Sequence, residues 1–148
     1  MTKNVVKFEQ RQVVRIDPIS DNVDDALKRS LPLLMPSIKA YSRNVDVKDI
    51  TDDLMEGRSL LWHVYIEDTL AAAFTTSVMH HPRRKTLFIE FMGGVDMKIW
   101  MKAALSVLEH VCRAMGLSAI EADGRIGFSR FAKENGFVET YRHFEMEI

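Results

Sequence analysis

TLFIEFMGGVDMKIWMKAALSVLEHVCRAMG, residues 86–116, is the stretch whose reading decides the fold. Thr86 to Met92 is rich in β-formers and alternates in period two, and Gly93-Gly94 ends that strand. From Met97 the apolar residues fall at 97, 101, 104, 105, 108, 111, 112 and 115, while Lys98, Lys102, Ser106, Glu109 and Arg113 lie elsewhere. That is a helical period held to Gly116, a natural C-terminal stop. A strand that feeds a long amphipathic helix places the chain in a mixed α/β class.

Working outward, Leu60 to Ile66 and Leu70 to Met79 read as a hairpin turning at Glu67-Asp68-Thr69, and His80 to Lys85 joins it to the strand at 86–92. On the amino-terminal side, residues 5–16 read as a first strand that stops at Asp17-Pro18. Ser20, Asp21 and Asn22 offer N-caps to a helix from Val23, with Asp24 and Asp25 in its first turn. Pro32 and Pro36 each remove a backbone donor, which predicts two short helices up to about Tyr41. A further helix is predicted over Val47 to Glu56, ended by Gly57. Beyond Gly116, Leu117 to Ala122 reads as a strand, Ile126 to Asn135 as a short helix, and Phe137 to Ile148 as a last strand.

Composition narrows the function classes. The chain has 148 residues, with 20 Lys plus Arg against 21 Asp plus Glu, a size that suits one domain and a balance that argues against a general polyanion binder. With 47% hydrophobic and 28% charged residues it can bury an ordinary core. No apolar run is long enough for a membrane span, and no signal core follows Met1-Thr-Lys-Asn. The single Cys112 cannot form an internal disulfide or a zinc cluster, which fits a reducing cytoplasm.

The order β-α-α-β-β-β-α-β-α-β resembles the GNAT family of acetyl-CoA-dependent N-acetyltransferases. The resemblance is carried by Arg130-Phe-Ala-Lys-Glu-Asn-Gly-Phe137, similar to the family's short helix and Gly-Phe ending, and by Val13-Val-Arg-Ile-Asp-Pro-Ile-Ser20, similar to its opening strand. It implies an α/β (α+β) fold: one GNAT-like domain over residues 1–148, a twisted mixed β-sheet with helices on both faces. Phe88-Ile-Glu-Phe-Met-Gly-Gly-Val-Asp and Asp123-Gly-Arg-Ile-Gly-Phe128 further resemble small GNAT-like proteins encoded in phage genomes near structural genes, some of them internal virion components.

A GNAT enzyme holds the pyrophosphate of acetyl-CoA with backbone amides of a loop, arginine or glutamine then glycines, that opens the long helix. Here that place is about Asp96-Met-Lys-Ile-Trp-Met101, which has neither glycine nor arginine. Asp96 sits where an N-cap belongs, with Val95 and Trp100 spaced for a hydrophobic staple, so its carboxylate is expected to take the donors a phosphate needs and to repel the anion. The opposing reading gives the cofactor loop to Gly93 and Gly94 and the anchoring charge to Lys98. The family's proton-donating tyrosine, just ahead of the Gly-Phe, falls on Ala132, leaving Tyr141 or a water to replace it. Glu90, between Phe88 and Met92 on the strand, is the candidate catalytic base, with an ion-paired or solvent-facing Glu90 as the alternative. Backbone amides from Phe91 to Gly94 are placed to polarise a thioester carbonyl. Arg125, in the turn after the fifth strand, is a candidate for binding a carboxylate or phosphate, against a salt bridge with Asp123 or Glu121.

The remaining features have plain readings. His80 and His81 are adjacent, point to opposite sides and lack partners at ligand spacing, so no metal is expected. Arg83, Arg84 and Lys85 form a basic hairpin tip, too small for a nucleic-acid surface and open to an acidic protein. Cys112, with Leu105, Leu108 and Met115, packs in the core, and the nine methionines read as gap-fillers or a flexible binding surface.

Two functions follow as expectations. The first is a degenerate GNAT-like phage protein that needs no cofactor and works through protein contacts, with phage structural proteins or further copies of itself as partners. It would lie in the cytoplasm of a bacterial host or be packaged in the virion. The second is an active acetyl-CoA-dependent N-acetyltransferase with an altered pyrophosphate loop. Neither a membrane nor a nucleic-acid partner is expected.

Overall fold

Alternating apolar residues build one five-stranded sheet in the computed structural model, which describes residues 12–41 and 43–148. Strands β1 (Val14–Pro18), β2 (Leu60–Ile66), β3 (Thr69–His80) and β4 (Lys85–Gly94) form an antiparallel meander. Strand β5 (Ile120–Ala122) joins parallel to β4, giving the order β1-β2-β3-β4-β5. Glu67 takes a left-handed conformation, φ 52°, at the tight β2–β3 turn.

Helices cover both faces, as the fold class requires. Helix α3 (Met97–Met115) lays Trp100, Met101, Ala104, Leu108 and Cys112 on Trp62, Val64, Phe74, Leu87 and Ile89. Helices α1 (Val23–Ala40) and α2 (Val47–Met55) lay Leu27, Leu34, Ile38, Ile50 and Leu54 on Leu61 and Ala73 of the opposite face. Asp46 and Asp49 close a reciprocal capping box on α2. A 3-10 turn (Ile126–Phe128) and the short α4 (Ser129–Glu134) follow β5.

The structure corrects several expected boundaries. Helix α1 is continuous through Pro32 and Pro36, where two helices were expected. Both prolines are exposed and four residues apart, so the carbonyls that lose their N–H partners face water, while Ala26, Leu27, Ser30, Leu34 and Ile38 keep the buried stripe intact. The predicted first strand lies partly outside the described residues, and within them β1 runs through Pro18, paired with Trp62. Proline is tolerated there because β1 is an edge strand. Met115 is exposed, past the last buried position of α3 at Cys112.

The expected last strand does not form. Residues 137–148 carry no strand pairing, and Val138, Phe144, Met146 and Ile148 are exposed. Alternation makes a segment fit to pair; only a neighbouring strand edge makes it a strand.

Candidate functional site

The site arises where β4 parts from β5. Their ladder contains only Leu87 with Ile120, Phe88 with Glu121 and Ile89 with Ala122, whereas β4 continues to Gly94. At the same point β4 carries a bulge: Ile89 faces Thr76 and Met92 faces Phe74, so Glu90 and Phe91 together oppose Thr75. The extra residue moves Phe91 to the α1 side of the sheet, while Leu87, Ile89 and Met92 stay on the α3 side.

The resulting cleft has a volume of about 540 Å³, within the range of small-molecule sites. Its walls come from β4 (Glu90, Met92), α1 (Pro36, Ser37, Tyr41), α3 (Met97, Met101), the turn after β5 (Asp123, Gly124, Arg125) and α4 with its flanks (Phe128, Phe131, Ala132, Phe137). Three methionines read as gap-fillers, Met92, Met97 and Met101, therefore face the cleft.

Glu90 lies in this cleft, half-buried and in no ion pair among the described residues. Burial pushes its carboxyl above the ordinary carboxylate range, with Asp53 adding to the rise and the Ser59 and Thr75 hydroxyls opposing it. A carboxylate so placed is suited to accept a proton.

The residues expected to hold a cofactor divide. Phe91 does not line the cleft; its ring packs behind Tyr41 of the cleft wall, edge to face at 6.1 Å, and its amide donates to Thr75 Oγ1 at 3.3 Å. The Met92 amide instead donates to Ser37 Oγ at 3.4 Å, a hydroxyl in the cleft wall. Gly93 and Gly94 serve packing: a Cβ at Gly93 would strike the Leu33 carbonyl of α1, and one at Gly94 would strike Ala71 and Ala72. Neither glycine lines the cleft, and Lys98 is exposed outside it.

The start of α3 also differs from expectation. Asp96 occupies the N-cap position in a left-handed conformation, φ 57°, and its side chain makes no capping hydrogen bond. Val95 is exposed, so no apolar staple forms; Trp100 instead donates its indole N–H to the Val95 carbonyl at 2.8 Å. The amides that the Asp96 carboxylate was expected to take remain uncapped by it.

Arg125 lines the cleft and forms no ion pair among the described residues, against the expected bridge to Asp123 or Glu121. Glu121 accepts from the Thr86 hydroxyl and pairs with His81 Nε2 at 2.7 Å, and these two bonds, Thr86 first, keep its carboxyl below the usual range. The β3–β4 turn is thus tied to β5 through His81, while Arg83, Arg84 and Lys85 are exposed. Asp123 lies near two tyrosines: burial first and then Asp123 raise the Tyr41 pKa, and Asp123 is the leading cause of the rise at Tyr141. Tyr141 is exposed and outside the cleft lining. Cys112 is buried and its thiol pKa is raised by burial, as befits a packing residue.

Sequence reasoning missed Ser37 and Tyr41, which reach the cleft only because α1 continues through both prolines.

No protein-family model matches the sequence, and no curated protein matches it. Solved structures do match. One described as a probable acetyltransferase superposes with a TM-score of 0.69 at 12% identity, covering 90% of this chain and 97% of its own. Glucosamine-6-phosphate N-acetyltransferase from Arabidopsis thaliana superposes with a TM-score of 0.63 at 14% identity, over 91% of this chain and 98% of its own. A predicted acetyltransferase with acetyl-CoA from Clostridium acetobutylicum gives 0.63 at 12% identity, over 91% and 96%. At such identities the likeness defines the fold: this chain has the architecture of GNAT acetyltransferases.

Proposed function

We propose that the chain is an acyl-CoA-dependent N-acyltransferase whose pyrophosphate loop departs from the family pattern. The cleft between the diverging β4 and β5, beside a helix start that Asp96 leaves uncapped, carries this reading. Its methionine wall suits an apolar thioester arm. In the reaction an amine nitrogen attacks the thioester carbonyl, the C–N bond forms, and the C–S bond breaks. Glu90 takes the proton lost by the amine. The Met92 amide, held only at 3.4 Å by Ser37, turns to the developing oxyanion. With alanine at position 132, the departing thiolate takes its proton from solvent. Calorimetric titration with acetyl-CoA, with CoA as control, tests the reading: micromolar binding supports it, and absence of binding at low salt rejects it.

A second reading is a GNAT-like protein that has lost acyl transfer and acts through protein contacts, in a phage particle or with copies of itself. The exposed Val138, Phe144, Met146 and Ile148 favour it, together with the lack of glycine or arginine at 96–101. Replacing Phe144 and Met146 by serine should then abolish self-association in sedimentation velocity; a wild-type chain that is monomeric throughout rejects the self-association form. A protein that neither binds acetyl-CoA nor self-associates directs the search to heterologous partners.

A further inference from the structure

We propose that the cleft is built for an amine acceptor with an apolar body, aromatic or aliphatic, whose ammonium group meets Glu90. The word acceptor rests on the acyltransferase reading; the class of ligand rests on the cleft walls themselves.

Charge in the cleft is sparse and uneven. Of its lining residues, only Glu90, Asp123 and Arg125 carry a charged side chain. Asp123 and Arg125 lie exposed in the turn after β5, where water and salt screen both. Glu90 is half-buried on β4 and forms no ion pair among the described residues. The inner charge of the cleft is therefore negative, and an occupant with a positive charge completes it. Burial raises the Glu90 carboxyl pKa, and an ammonium beside it opposes that shift. Among the described residues no three His, Cys, Asp or Glu side chains converge to hold a metal ion, so the fitting cation is an organic one.

The body of the ligand follows from the other walls. Tyr41 stands edge to face on Phe91, the residue after Glu90, at 6.1 Å, and Phe128 and Phe131 pair at 5.3 Å on the α4 wall. Such rings suit both an apolar group and the neighbourhood of a cation. Apart from the Tyr41 phenol, the neutral polar side chains of the walls are Ser37 and Asn135, and both are engaged. Ser37 Oγ accepts from the Met92 amide at 3.4 Å, and Asn135 Nδ2 donates to the Phe131 carbonyl at 2.9 Å. A polyhydroxylated amine would leave hydroxyls short of partners there, whereas an apolar body gains by leaving water.

The test uses the full chain without acyl donor. Hexylamine and benzylamine are titrated beside hexanol and benzyl alcohol, which lack the charge, and beside methylamine, which lacks the body. Binding is followed by NMR on the ring resonances of Tyr41 and Phe131. The expected result is that at least one apolar amine moves both rings and binds about tenfold tighter than its alcohol and than methylamine. Glu90→Gln should abolish the preference over the alcohol, its fold being checked by circular dichroism. Lowering the pH of the wild type until Glu90 is protonated should abolish it too, which tests the same charge without a variant. Equal binding of amine and alcohol, methylamine binding as tightly as the apolar amines, or a preference that survives in folded Glu90→Gln or at low pH overturns the proposal. The preference in a protein that does not bind acetyl-CoA upholds the ligand class and rejects the acyltransferase reading; acetyl-CoA binding without the preference rejects the ligand class alone.

Discussion

Trp100 donates from Nε1 to the carbonyl oxygen of Val95 at 2.8 Å, so a fully buried indole fixes the turn into α3 while the Asp96 carboxylate stays unengaged. Trp100→Phe keeps much of the apolar volume and deletes this bond. The variant should lose about 1 kcal/mol of stability in urea unfolding for the deleted hydrogen bond, since the Val95 carbonyl lies on an exposed residue that water can reach. Acetyl-CoA affinity should fall with it, as the approach to α3 loosens.

Asp96 puts a negative charge at the positive end of the α3 dipole, where the proposed acyltransferase reading would place a pyrophosphate. Asp96→Asn should strengthen acetyl-CoA binding by several-fold at low salt and by less at high salt, consistent with a dipole-scale effect of about 0.3–1 kcal/mol plus relief of repulsion. Calorimetry at two ionic strengths checks both the sign and the screening.

Glu90 is protonated at a pH above that of an ordinary carboxyl because burial disfavours its charge. Under the proposed acyltransferase reading, turnover should therefore rise with pH through a limb lying above the usual carboxylate range. Glu90→Gln should remove that limb and reduce turnover by about 10²–10⁴-fold. A variant with wild-type rate and profile would exclude Glu90 as the base.

His63, on β2, is fully buried, with Nε2 3.2 Å from the Ala26 carbonyl of α1 and Nδ1 lacking a partner among the described residues. Burial first, and then Arg29, hold its pKa below the ordinary 6.5. As pH falls through about 6.5, the unfolded chain takes up a proton more readily than the folded one, so stability declines from there to the lowered folded pKa. Chemical denaturation across this window should show that decline, and His63→Gln should flatten it.

Gly93 lets α1 approach β4, since any side chain there would meet the Leu33 carbonyl. Gly93→Ala should destabilise by about 1–3 kcal/mol, the scale of overpacking. Gly57 has open space at its Cβ position but a left-handed φ of 75°, so Gly57→Ala isolates the smaller backbone cost. A Gly93→Ala loss no larger than that of Gly57→Ala would contradict the packing role.

Local periodicity determined much of this protein. The run of apolar positions from Met97, the alternation of β2 to β4 and the glycine stops at 57 and 116 are written in neighbouring residues, because the helix and strand repeats follow from backbone geometry alone. The position of Glu90 and Arg125 at the strand and turn where the sheet opens was also legible. Tertiary structure decided the rest. Pro32 and Pro36 each cost α1 a hydrogen bond and crowd the preceding turn, yet the helix continues because both lie on its exposed side while the sheet takes the opposite stripe. The shift that sends Phe91 to α1 and leaves Met92 in the cleft comes from a bulge against Thr75, a matter of register between strands distant in sequence. Asp96 had every local credential of a cap, yet its left-handed backbone makes no such bond. Residues 137–148 alternate like a strand and form none, since strand formation needs hydrogen bonds from a partner edge that no local pattern supplies.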